Sequence, residues 1–110
     1  MTDERRGSPR VAASIAGELE IDGGKSAIAI TRDVGANGLL VFTRLRECTG
    51  SVKLTVVYKD EMLVLTGHVV RMEPVEDSQL WRNKVAIAID GDHSAITKLF
   101  SAIAASDQTT

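Results

Sequence analysis

A chain of 110 residues, 44% hydrophobic and 25% charged, fits one globular domain and excludes an extended disordered polymer. With a net charge of −2 and only 4% aromatics, it has neither the broad basic face of a bulk DNA or RNA binder nor an aromatic series for stacking bases. A single cysteine, Cys48, excludes an intrachain disulfide and fits a reducing compartment.

The opening residues 1–10 are polar and carry Arg5, Arg6 and Arg10 against Asp3 and Glu4, a side-chain charge of +1; the other hundred residues carry ten positive and thirteen negative side chains, or −3. Within "RGSPR" the proline pushes Ser8 into an extended conformation. Residues 1–10 are therefore expected to form a flexible arginine loop. The sequence shows no signal-peptide pattern and no apolar run of membrane-spanning length, so a cytoplasmic protein without membrane insertion is expected.

From residue 11 the period is two. In "VAASIAGELEI" the odd positions are Val, Ala, Ile, Gly, Leu and Ile, while Ser14, Glu18 and Glu20 take the other phase, which predicts a half-buried strand. "DGG" at 22–24 is a hairpin turn signal, and "KSAIAIT" is the return strand. "RDVGANG", 32–38, breaks the pattern with turn residues. Strands are then predicted at "LLVFT", "VKLTVVY", "MLVLTGHVVRM" and "KVAIAID", with Gly67 marking a bulge or bend inside the third of these. The last segment changes period: Ala95, Ile96, Leu99, Phe100 and Ile103 form the stripe of an amphipathic helix whose first turn Asp92 or Ser94 can cap. About six strands and one helix predict an all-β fold, a small six-stranded antiparallel barrel over residues 11–106, followed by a frayed tail at 107–110.

Enzymatic chemistry has little support. His68 and His93 stand at no recognisable spacing to a nucleophile or carboxylate, and one cysteine with two scattered histidines makes no metal site. Trp81 reads as a packing residue at an amphipathic edge. No Walker or GxGxxG loop is present. Two segments remain. The arginines of "RRGSPR" can donate forked hydrogen bonds to phosphate or to guanine O6 and N7. In "DVGANG", Asp33 can accept from a guanine's donor edge, and Gly35 and Gly38 permit close approach to the backbone.

In this order, ahead of and inside a barrel pattern, the two segments resemble the PilZ domain family of bacterial cyclic di-GMP receptors. The family's Arg-x-x-x-Arg matches Arg6 to Arg10, with Arg5 as the additional arginine that often precedes it. Its Asp/Asn-x-Ser-x-x-Gly matches Asp33 to Gly38, with glycine at position 35 where the family has serine. The resemblance spans nearly the whole chain. It implies a single-domain split barrel and a non-enzymatic receptor or adaptor with no cofactor. Its ligand, cyclic di-GMP, would be held by Arg5, Arg6, Arg10, Asp33, Gly35 and Gly38. Signalling in motility or biofilm formation would pass to an unidentified effector protein rather than to DNA or RNA. Gly35 leaves a second reading open: a degenerate adaptor of the same fold that does not bind the nucleotide.

Overall fold

The computed structural model describes residues 10–22 and 24–107. Arg5 and Arg6 lie outside them. Seven strands and one helix follow in chain order: β1 (Arg10–Ala12), β2 (Ala16–Ile21), β3 (Ser26–Gly35), β4 (Gly38–Thr43), β5 (Ser51–Tyr58), β6 (Glu61–Pro74), β7 (Asn83–Ile89) and α1 (Ser94–Asp107). Neighbours run β3-β2-β5-β6-β7-β4, and β4 pairs back onto β3, which closes a six-stranded antiparallel barrel. Closure leaves that ring without an open edge. The short β1 is a seventh strand that pairs with the C-terminal part of β3.

The period-two pattern survives as an inside and an outside. Leu19, Ala29, Val41, Leu54, Val56, Leu65, Val85 and Ile87 point inward and are buried. Helix α1 adds Ile96, Leu99 and Ile103 to the same core, packing against β3, β6 and β1. Its start is fixed by Asp92, whose Oδ1 accepts from the Ser94 amide at 2.9 Å and from the Ser94 hydroxyl at 2.6 Å. These bonds satisfy donors that the first helical turn leaves open and hold the Asp92 carboxyl below its ordinary pKa. The β5–β6 hairpin turns through Lys59 and Asp60, both at positive φ (51° and 67°), as a tight two-residue loop requires.

The structure departs from the sequence reading in five places. The single strand expected over "VAASIAGELEI" is two, β1 and β2, parted by residues 13–15. "RDVGANG" does not break the strand: β3 runs through Gly35, because β1 supplies ladder partners that the sequence pattern alone does not reveal. The bulge in the long strand β6 lies between Val69 and Arg71, not at Gly67. Gly67 instead allows β7 to approach; a Cβ there would stand 2.1 Å from the Ala88 carbonyl oxygen. Arg10 belongs to β1 rather than to a loop, and α1 reaches Asp107, one residue into the expected frayed tail. Among the described residues, no helix is long and apolar enough to cross a membrane.

Candidate ligand-binding site

Thr31 determines where the N-terminal motif lies. Its buried hydroxyl accepts from the Ile15 amide at 2.9 Å and donates to the Ala13 carbonyl. The Thr31 amide in turn donates to Ile15 O at 2.9 Å, and Ala13 N donates to Arg32 O at 3.1 Å. These bonds carry the chain across the three-residue jog between β1 and β2 with its backbone groups satisfied. β1 is thereby laid on β3 with Arg10 opposite Gly35 and Ala12 opposite Asp33.

The register brings the two sequence motifs together. Arg10 reaches diagonally across the pair, and its Nε donates to Asp33 Oδ1 at 2.8 Å. With side chains 48% and 24% exposed, this ion pair adds at most about 1 kcal/mol to stability. Its value is geometric. A guanidinium held through Nε presents its two Nη groups as a fork. A carboxylate that accepts on Oδ1 keeps Oδ2 as a further acceptor.

The two motif glycines differ in their surroundings. A Cβ on Gly35 would meet an Arg10 Nη at 3.4 Å and Arg10 Cγ at 3.5 Å, ordinary contact distances. Gly35 is not among the positive-φ glycines, which among the described residues are Gly24, Gly50 and Gly91. Neither backbone strain nor a backbone clash demands glycine there, and a serine hydroxyl at 35 would stand beside the guanidinium. Gly38 has a structural reason to be glycine: a Cβ would lie 2.5 Å from Ile87 O, so β4 and β7 pair closely because it has none.

Beside the Arg10 side chain runs a groove of ≈ 270 Å³, bordered by Asn37 and Gly38 and by the outward residues Val70, Ala86 and Ala88. The alanines keep its floor low. This volume falls just below the roughly 300–1,000 Å³ of pockets that enclose a whole small ligand. A groove of this size can seat part of a larger molecule but not enclose a whole one. A second hollow of ≈ 320 Å³ lies by Glu20, Asp22, Lys53, Thr66 and Asp90. Three carboxylates against one lysine make it hostile to a phosphate, so of these two the smaller groove with its arginine is the better anion site.

The remaining reactive side chains do not join this site. His68 Nδ1 pairs with Asp90 Oδ1 at 2.7 Å on the surface, and His93 Nε2 lies 3.1 Å from Ile89 O. Cys48 is fully buried, and burial pushes its thiol up to about 11, so it stays protonated and inert. Trp81 lies in the loop before β7, its amide donating to Ser78 Oγ at 2.9 Å. Among the described residues, no cluster of three His, Cys, Asp or Glu could hold a metal ion.

Comparison with known proteins adds a family to this geometry. The family model of the PilZ domain matches residues 4–105. The chain belongs to the PilZ domain family. No curated protein sequence matches it significantly. Solved PilZ structures share its fold. The PilZ domain of CeSA from a cellulose-synthesizing bacterium aligns with a TM-score of 0.71 at 17% identity, over 87% of this chain and 98% of that one. The PilZ domain of Escherichia coli YcgR, solved with c-di-GMP, aligns at 0.71 with 9% identity over 93% and 90%. The Bacillus subtilis inhibitor of motility, MotI/DgrA, aligns at 0.68 with 16% identity over 94% of this chain and 53% of that one.

Within this PilZ domain, Arg10, Asp33, Gly35 and Gly38 meet at one corner of the barrel, while Arg5 and Arg6 fall outside the described residues. Sequence reasoning missed Val70, Ala86 and Ala88. A signal for two of them was present. In "KVAIAI" the outward phase holds alanines where an ordinary exposed strand face carries polar side chains, a mark of a surface kept low.

Proposed function

We propose that this PilZ domain is a cytoplasmic receptor for cyclic di-GMP. Arg10, with Arg5 and Arg6, grips phosphate oxygens and guanine O6 and N7 through forked hydrogen bonds. Asp33 accepts from the guanine N1–H and N2–H₂ edge while still bound to Arg10. Gly35 and Gly38 keep the walls low, and one base lies over Ala86 and Ala88. Engagement of Arg5 and Arg6 fixes the N-terminal segment against β1 and so changes the surface offered to an effector protein in motility or biofilm control. The signal passes by binding alone.

The observation that carries this reading is the 2.8 Å contact between Arg10 and Asp33, which joins residues of two separate motifs beside a groove. Glycine at 35 lowers the expected affinity without removing it: one missing neutral hydrogen bond is worth about 0.5–1.5 kcal/mol, roughly a factor of two to twelve. Isothermal titration of cyclic di-GMP into the native protein and an Arg6→Ala/Arg10→Ala variant tests the proposal. Saturable heat with the native chain and none with the variant supports it, and the stoichiometry tells one ligand from a stacked pair. No heat from folded native protein at high micromolar ligand overturns it in favour of the nucleotide-free adaptor.

A further inference from the structure

The barrel carries a second distinct surface, away from the arginine corner. Four large aliphatic side chains on its outer face are about half exposed or more: Ile28 at 50%, Val57 at 57%, Met62 at 65% and Val64 at 46%. They are not scattered. Ile28 pairs with Glu18, Glu18 with Thr55, and Thr55 with Val64, which makes one row across β3, β2, β5 and β6. In the adjacent row Ile30 pairs with Ala16 and Val57 with Met62, while Ala16 and Val57 follow directly on the Gly17–Val56 pair. Ile28 and Val64 at the ends of one row, with Ala16, Ile30, Val57 and Met62 in the next, exceed the single exposed aliphatics that every soluble protein shows.

The charges on this face narrow the occupant. At one margin Lys53 is 3.5 Å from Glu20, and at the other Lys98 bonds to Glu61. Arg44 stands at the border, its amide donating to Ile28 O at 3.4 Å. Inside the patch lies Glu18, which accepts from the Ser26 hydroxyl at 2.7 Å and has no ion-pair partner among the described residues. A second copy packed on this face with its twofold axis at Glu18 would bring the two Glu18 carboxylates together, an unfavourable like-charge contact. An anionic lipid surface meets the same carboxylate. A cation set among apolar side chains meets a complementary one.

We propose that this face docks a segment of another protein in which a lysine or arginine stands among aliphatic side chains, the cation facing Glu18 and the aliphatics covering Ile28, Val57, Met62 and Val64. The inference is independent of nucleotide binding, which lies on the opposite half of β3.

The test uses methyl-labelled protein and two synthetic peptides of equal length, one alternating leucine with lysine and the other leucine with glutamate. The leucine–lysine peptide should shift the methyl resonances of Ile28, Val57, Met62 and Val64, and the leucine–glutamate peptide should bind at least tenfold more weakly. Glu18→Lys should reverse that preference, and Val57→Lys/Met62→Lys should abolish both interactions. All three changes are at exposed positions, and an unchanged amide spectrum elsewhere confirms that the variants fold. Leucine–lysine binding that survives Glu18→Lys, or that maps elsewhere, overturns the proposal. So does concentration-dependent dimerisation removed by Val57→Lys, which assigns the face to a second copy. Methyl shifts of this face with vesicles of anionic phospholipid also overturn it, because they assign the face to a membrane.

Discussion

The two halves of β3 are one residue out of phase, through a bulge between Thr31 and Asp33, and carry different outer surfaces. At its C-terminal half Asp33 and Gly35 lie under Arg10 of β1, beside a shallow groove. At its N-terminal half Ile28 and Ile30 open onto an apolar face with one carboxylate. Inward residues are buried in both halves, Ala29 and Thr31 before the bulge and Val34 after it. Stability and function are thus divided by side of the sheet. The inward phase holds the barrel, and the outward phase decides what touches it.

That division is open to attack from both sides. The largest effect belongs to the inward phase. Leu54→Ala should cost about 2–5 kcal/mol in urea denaturation, by lost burial and a cavity, while the folded fraction binds cyclic di-GMP as before. An equal loss of affinity would show that the core and the corner are not separable. Arg10→Ala should do the reverse. It should lower affinity by about 10- to 150-fold, the weight of a charge-assisted bond of about 1.5–3 kcal/mol, while shifting stability by no more than about 1 kcal/mol.

Thr31→Val should blur the two classes, because Thr31 is an inward residue that positions an outward one. It leaves the Ile15 amide without its partner at a cost of about 1–3 kcal/mol, and it should speed amide exchange in β1 more than in β2. Gly35→Ser should tighten the nucleotide by roughly two- to twelvefold, since the side chain fits and its hydroxyl stands beside Arg10. The smallest effect is at α1. Asp92 has its folded pKa held down, so its contribution is present above its ordinary value of 3.8 and is lost as pH falls through the lower, folded value. The thermal stability gap between the native chain and Asp92→Ala should therefore close on acidification below 3.8 and persist at neutral pH.

Much of this was legible in the residues. Alternation gave the barrel walls, because a half-buried strand writes its burial directly into its sequence. The three-and-four spacing of Ile96, Leu99 and Ile103 gave the helix. The pairing of Arg10 with Asp33 was legible only as two motifs in the right order, because their contact depends on a register across 23 residues of chain. The jog at 13–15 was hidden: a side chain, Thr31, bonds the main chain there, and no periodicity records that. Val70 was hidden because it is the extra residue of the bulge between Val69 and Arg71, and the bulge belongs to the pairing of β6 with β7 rather than to either strand alone. The apolar patch was hidden for a related reason. Ile28 and Val64 are far apart in sequence, and only the sheet order puts them in one row.

The most direct test of this division is an amide chemical-shift map of the native protein titrated with cyclic di-GMP. The largest shifts should fall on Arg10, Asp33, Gly35, Gly38, Ala86 and Ala88, with Ile28, Val57, Met62 and Val64 unmoved by direct contact. A map centred on the apolar face, or no shifts at saturating ligand, would contradict it.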